Sequence, residues 1–174
     1  MPKLIKSTGE GMAWVDDRFT DVADDEAAPR GDVIVSLKRF LSEGEALQAD
    51  GREVGVRIEA GEAVEDLAYD LPTIPVVALV FPKFRDGRAF SAAALLRERY
   101  GYKGEVRAVG DVLREQAMFM VRTGFDAFAP ADASTPEQWA AAAGRFRHVY
   151  QRAADDRAPA FEQRAAARVK THAV

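Results

Sequence analysis

The region from residue 32 to residue 154 alternates short apolar segments with segments of helical periodicity, and this alternation constrains the fold most strongly. There are five apolar segments, 33–37, 54–58, 76–81, 106–109 and 127–129, and the first four contain several β-branched residues. A strand–helix alternation predicts an α/β fold, here a mostly parallel five-stranded sheet with helices on both faces. An open sheet is favoured, because closed eight-unit barrels need about 250 residues.

The third apolar segment and the last helical segment carry the clearest local signals. Residues 76–81 are apolar on both faces of a strand, which predicts a central position in the sheet. Thr135, Pro136 and Gln138 form a capping-box signature, which predicts a helix beginning there and running to about Tyr150. Helices are also predicted near 40–48, 63–69, 91–100 and 111–123.

The two ends of the chain differ from this central region. Residues 3–15 predict a β-hairpin, and the acidic residues 16–31 predict a linker, so that 1–31 precede the α/β domain of residues 32–154. Residues 155–174 are rich in Ala and Arg with little periodicity, which predicts a flexible tail that is frayed or helical only with a partner. The length of 174 residues fits one domain.

Composition excludes several classes of function. The chain has no cysteine and two histidines, His148 and His172, so we expect no intrinsic metal, haem or iron–sulfur site. A net charge of −4 argues against a nucleic-acid-binding protein. Neither a signal peptide nor a membrane-spanning segment is recognisable, which favours a cytoplasmic protein that does not bind membranes.

The loop after the third predicted strand is the strongest candidate for a binding site. Ligands of parallel α/β sheets bind beyond the carboxyl ends of the strands. This loop holds three cations, a glycine and a predicted helix N-cap, and its candidate residues are Lys83, Arg85, Asp86, Gly87, Arg88 and Ser91. They predict a pocket for a small anion or a cofactor phosphate. The alternative is an ordinary basic loop in which the cations pair with Asp86, Glu98 or Asp111.

The loop after the fourth predicted strand should lie beside it. Asp111 could act as a general acid or base, orient Arg85 or Arg88, or simply cap the helix that follows. Gly110 and Gln116 are added to the candidate anion or cofactor site. No glycine-rich dinucleotide motif, P-loop or nucleophile elbow accompanies these loops.

Four stretches resemble a bacterial family of domains of unknown function, family 934. They are FPKFRDGRAFS at 81–91, LLRERYGYKGE at 95–105, RAVGDVLREQ at 107–116 and GFDAF at 124–128. Members of that family often carry the label of an oxidoreductase of sulfite reduction, because they are typically encoded beside assimilatory sulfite reductase and phosphoadenylylsulfate reductase. The resemblance covers approximately residues 30–150 and implies a role in this pathway, but it supplies no catalytic residues.

Two hypotheses for the function remain. The first is an accessory or coupling protein of assimilatory sulfite reduction, with sulfite reductase as partner and an anion-binding loop at the carboxyl edge of the sheet. The second is a small enzyme in which Arg85 and Arg88 bind an anionic substrate and Asp111 is the catalytic residue. A variant of the second is a reductase that borrows a flavin or a nicotinamide, since no residue of this chain cycles electrons readily.

Overall fold

All eight strands of the computed structural model, which describes residues 3–8 and 11–171, belong to one sheet. The turn of the predicted hairpin (9–10), residues 1–2 and the end of the chain with His172 lie outside the described residues. The strands are β1 (Lys3–Thr8), β2 (Gly11–Asp16), β3 (Thr20–Asp21), β4 (Val33–Ser36), β5 (Val54–Ile58), β6 (Val76–Phe81), β7 (Glu105–Gly110) and β8 (Ala127–Phe128). Their order across the sheet is β2-β1-β8-β7-β6-β5-β4-β3.

The helices follow the strands as α1 (Leu37–Ala49), α2 (Arg88–Ala94), α3 (Ala117–Thr123), α4 (Pro136–Ala143) and α5 (Ala160–Thr171). A π-helical turn, Leu95–Arg99, extends α2, and short 3₁₀ turns occupy Val64–Leu67, Leu71–Thr73 and Arg114–Gln116. The chain is therefore a mixed α/β protein, as the alternation of segments predicts.

Helices α1 to α4 pack on one face of the sheet, which corrects the prediction of helices on both faces. From β3 to β8 the strands are parallel and adjacent in sequence order, with no reversal. Right-handed connections that always step in the same direction bring each helix to the same side. We call this side the helix face: Val77, Leu79 and Phe81 of β6 share its core with buried side chains of α1 to α4, such as Phe40 and Trp139.

The opposite side, which we call the charged face, has a different composition. A small cluster there joins Val76 and Ala78 of β6 to Ile34 and Phe19, and contains no helix residue among those described. Beside it lies Arg107 of β7, which is 3% exposed. Phe19, from the segment before β3, takes the place that a second layer of helices would occupy.

The sheet also has more strands than the five predicted. The predicted hairpin forms as β1 and β2, but β1 pairs antiparallel with β8 and so extends the same sheet. Residues 16–31 are more than a linker, since they include β3, and both Phe19 and Val22 are buried. Periodicity could not identify a two-residue strand surrounded by acidic residues.

The predicted helix ends vary in accuracy. The Thr135 capping box is present in full, and Gly124 ends α3 in the left-handed conformation. By contrast, α4 ends at Ala143 rather than near Tyr150. The segment expected to be a tail contains α5, whose described side chains beyond Ala160 are mostly exposed.

Candidate functional site

Two side chains from the β7–α3 connection hold the loop between β6 and α2. The backbone N–H of Phe84 donates to Asp111 Oδ2 at 2.7 Å, and Gln116 Nε2 donates to the Phe84 carbonyl at 2.9 Å. Gln116 is 7% exposed, and its Oε1 has no hydrogen-bond partner among the described residues. The backbone N–H and carbonyl of Phe84 are both hydrogen-bonded, so the loop has a defined conformation, unlike a free surface loop.

Gly110 allows Asp111 to reach this position. Its φ of +94° is left-handed, and a Cβ there would lie 2.4 Å from the carbonyl oxygen of Phe81. The N–H of Asp111 donates to that same carbonyl at 2.7 Å. Gly110 therefore has a structural reason to be glycine, and Asp111 binds the loop instead of capping a helix, because α3 begins only at Ala117.

Lys83 and Arg85 lie on the outer side of this fixed loop. Both are exposed, and neither forms an ion pair with any residue that the structure describes. Phe84 between them is 41% exposed. Two uncompensated cations and one aromatic ring are consequently presented to solvent on a rigid backbone.

Arg88 differs from these two cations because it has a carboxylate partner. Its Nε and Nη2 donate to Asp86 at 3.0 and 2.5 Å, and its backbone N–H donates to the same carboxylate at 3.2 Å. These bonds lower the pKa of Asp86 to about 2. The pairing of Arg88 with Asp86 is the arrangement expected for an ordinary basic loop. Gly87 has a φ of −92°, which any residue adopts.

Arg88 and Ser91 line a cavity of about 200 Å³ between α2 and the segment that follows β5. Ser91 lies in the first turns of α2, which begins at Arg88, so it is not the predicted N-cap. Lys83 and Arg85 do not line this cavity. The predicted site residues therefore divide into an outer cationic pair, a loop clamp formed by Asp111 and Gln116, and a group at the cavity mouth.

Three glutamates on the opposite wall of the cavity were not among the predicted site residues: Glu59, Glu62 and Glu65. A signal for them exists in the sequence, since they occur within seven residues directly after a buried strand. Their significance depended on α2 lying opposite them, which local sequence patterns do not specify.

Neither a metal centre nor a membrane span is found in the parts of the chain that the structure describes. No group of three or more histidine or acidic residues among 3–8 and 11–171 is arranged to hold a metal ion. His148 is exposed, with Nδ1 2.9 Å from Gln163 Oε1. No described helix combines the length and apolar character needed to cross a bilayer.

The chain matches one of the protein-family models with which it was compared. A search of curated proteins finds no match to the chain. Residues 55–161, which are more than half of the chain, match the family described as "Bacterial protein of unknown function (DUF934)". This range contains all of β5 but its first residue, β6 to β8, the fixed loop and the cavity. The chain belongs to this bacterial family.

Proposed function

We propose that the protein is an accessory protein of assimilatory sulfite reduction, and that the loop of residues 82–88 binds an acidic surface of the sulfite reductase. The label that members of the family often carry suggests the pathway. The exposed cations of the loop suggest how the protein binds. The observation that carries the binding proposal is the exposure of Lys83 and Arg85, without carboxylate partners among the described residues, on a backbone fixed by Asp111 and Gln116.

A fixed loop favours binding because little conformational entropy remains to be lost on association. Arginine and aromatic residues contribute disproportionately to protein interfaces, and here Phe84 lies between Lys83 and Arg85. The cations project from the surface and do not line the neighbouring cavity. This arrangement suits contact with a macromolecule better than enclosure of a small substrate.

The enzyme alternative has weaker support from the same contacts. It requires Arg85 and Arg88 to bind one anion and Asp111 to transfer a proton. Arg88 pairs with Asp86, and the Asp111 carboxylate accepts the Phe84 N–H. Two of the three groups therefore already hold the loop. A flavin-dependent reductase would be recognised by its absorbance at about 450 nm after purification.

A double variant tests the accessory role. We expect Lys83→Ala with Arg85→Ala to weaken binding to purified sulfite reductase about tenfold or more, which corresponds to roughly 1.4 kcal/mol. The binding of the unaltered protein should also weaken as salt is added, because exposed charges are screened. Growth with sulfate as sole sulfur source should slow for the same variant.

The matched control removes two cations at the opposite edge of the sheet. Arg99→Ala with Lys103→Ala changes the net charge equally, and both residues are exposed. It should leave binding and growth unchanged. Equal affinity of the loop variant and the unaltered protein for the reductase would refute the proposed docking loop.

A further inference from the structure

We propose that the cavity between α2 and the segment after β5 binds an alkylammonium group, meaning a short aliphatic chain that ends in a protonated amine. This site adjoins the docking loop, with which it shares Arg88, but it does not depend on the proposed function. The cavity has a volume of about 200 Å³ and is lined by an apolar floor and an acidic wall.

The floor of the cavity suits an aliphatic chain. Ile58, Leu79 and Ala89 contribute to it and are at most 6% exposed, and Leu95 and Ala92 of the α2 region complete it. The volume lies below the roughly 300–1,000 Å³ of pockets for drug-sized ligands. A chain of a few carbon atoms therefore fits, and burial of its methylene groups would favour binding.

The wall opposite α2 supplies negative charge. Glu62 Oε2 accepts the N–H of Glu59 at 2.7 Å, which fixes the Glu62 carboxylate at the turn. Glu59 pairs with Arg57 at 3.2 Å. The Glu65 side chain forms no ion pair or hydrogen bond within the described residues, so its charge is available to a ligand.

The cation at the cavity mouth does not neutralise this wall. Arg88 is paired with Asp86, and no glutamate of the cavity forms an ion pair with it in the described chain. Gly61, with a φ of +107°, leaves room for the Arg88 guanidinium, since a Cβ there would lie 3.0 Å from Nη1. Because Glu59 is paired with Arg57 and Arg88 with Asp86, the Glu62 and Glu65 carboxylates remain to favour a cation and repel an anion.

The test is a titration of the full chain, followed by the backbone amide signals of Gly61, Ser91 and Ala92 in ¹H–¹⁵N spectra. The probes are butylamine, 1-butanol and butyrate, which share one chain length and differ in charge. Butylamine is protonated at pH 7, because an alkyl ammonium has a pKa of about 10. We expect saturable shifts with butylamine, at least tenfold weaker binding of butanol and no binding of butyrate.

Removal of the wall charges should abolish this preference. Glu62→Gln with Glu65→Gln should weaken butylamine binding about tenfold and leave butanol binding unchanged. The control, Glu98→Gln with Glu115→Gln, makes the same charge change at exposed sites outside the cavity and should bind butylamine normally. Equal binding of butylamine and butanol, or an unaffected Glu62/Glu65 variant, would overturn the proposal.

A fourth probe, Nα-acetyl-lysine amide, distinguishes two sources of the same chemistry. Binding at the affinity of butylamine or better would assign the cavity to a lysine side chain of another protein. Shifts with butylamine alone would assign it to a free amine. Failure of both amines to shift Gly61, Ser91 and Ala92 would refute the site, while the reductase-binding experiment would be unaffected.

Discussion

The two faces of the sheet are stabilised in different ways. On the helix face, Leu79 and Phe81 of β6 are buried against helices by apolar contact alone. On the charged face, Arg107 is equally inaccessible but donates to Asp17 at 2.8 and 3.1 Å and to Glu105 at 2.6 Å. A side chain on the helix face can be replaced by another of similar volume, whereas Arg107 depends on the identity of its partners. The same strands therefore have one face that tolerates substitutions of similar volume and one face that requires particular ion pairs.

The largest expected effect comes from Arg107→Met. The change leaves the carboxylate of Asp17, whose side chain is 10% exposed, without its cation, and the loss of stability should be about 3–5 kcal/mol. Urea unfolding measures it. The double variant Asp17→Asn with Arg107→Met should recover much of the loss, because Glu105 still pairs with Lys6. A double variant as unstable as Arg107→Met would show that packing, not charge, makes the face specific.

The corresponding change on the helix face is Leu79→Ala. Leu79 is 1% exposed, and its truncation should cost about 2–5 kcal/mol through lost burial and a residual cavity. Leu79→Met should cost less than about 1.5 kcal/mol, because volume is conserved. The comparison fails if Leu79→Met is as destabilising as Leu79→Ala in the same urea titration.

Tyr102→Phe should have a smaller effect. The buried Tyr102 hydroxyl donates to the Ile74 carbonyl at 3.0 Å, and burial raises the pKa of this phenol. Removal of the hydroxyl should cost about 1 kcal/mol, since one hydrogen bond is lost and the ring still packs in the core. Thermal unfolding can resolve this difference. A loss as large as that for Arg107→Met would mean that the helix face also depends on specific polar contacts.

The ion pair of Arg88 with Asp86 is more exposed than that of Arg107 with Asp17, and it serves as a reference for the effect of burial. The Asp86 carboxyl should titrate at a pKa of about 2, chiefly because the Arg88 side chain donates to it, and Arg88→Gln should raise this pKa toward its usual value while the backbone N–H of residue 88 keeps it somewhat lowered. Because the folded pKa is lowered, any stabilisation is present above about pH 4 and disappears as the pH falls toward 2. Carbon-13 chemical shifts of the carboxyl group measure both values. An unchanged pKa in Arg88→Gln would exclude Arg88 as the cause.

Local patterns predicted the repeating part of the fold well. The apolar segments 33–37, 54–58 and 76–81 became β4, β5 and β6, and the Thr135 capping box appeared in full. The side on which the helices pack was predicted wrongly, because it depends on strand order, which no single segment encodes. The charge at position 107 could be read from the sequence, but its partner Asp17 is ninety residues away.

The candidate site was predicted in part for the same reason. The sequence located the loop of Lys83 and Arg85, and the structure confirms that Asp111 and Gln116 lie beside it. The pairing of Arg88 with Asp86 matches the alternative of an ordinary basic loop, but the sequence could not predict that Asp111 and Gln116 hold the Phe84 backbone. Such outcomes depend on side-chain geometry between loops that are separated along the chain.

The pairing of β1 with β8 has a consequence for synthesis of the chain. Ile5 lies beside Phe128, so β1 can join the parallel part of the sheet only after β8, the last of the eight described strands, has been synthesised. Until then the hairpin can pair only with itself, and two isolated strands are marginally stable in water. Assembly should therefore proceed from β4 toward β8, and β1 and β2 should be the last of these strands to become protected from hydrogen exchange.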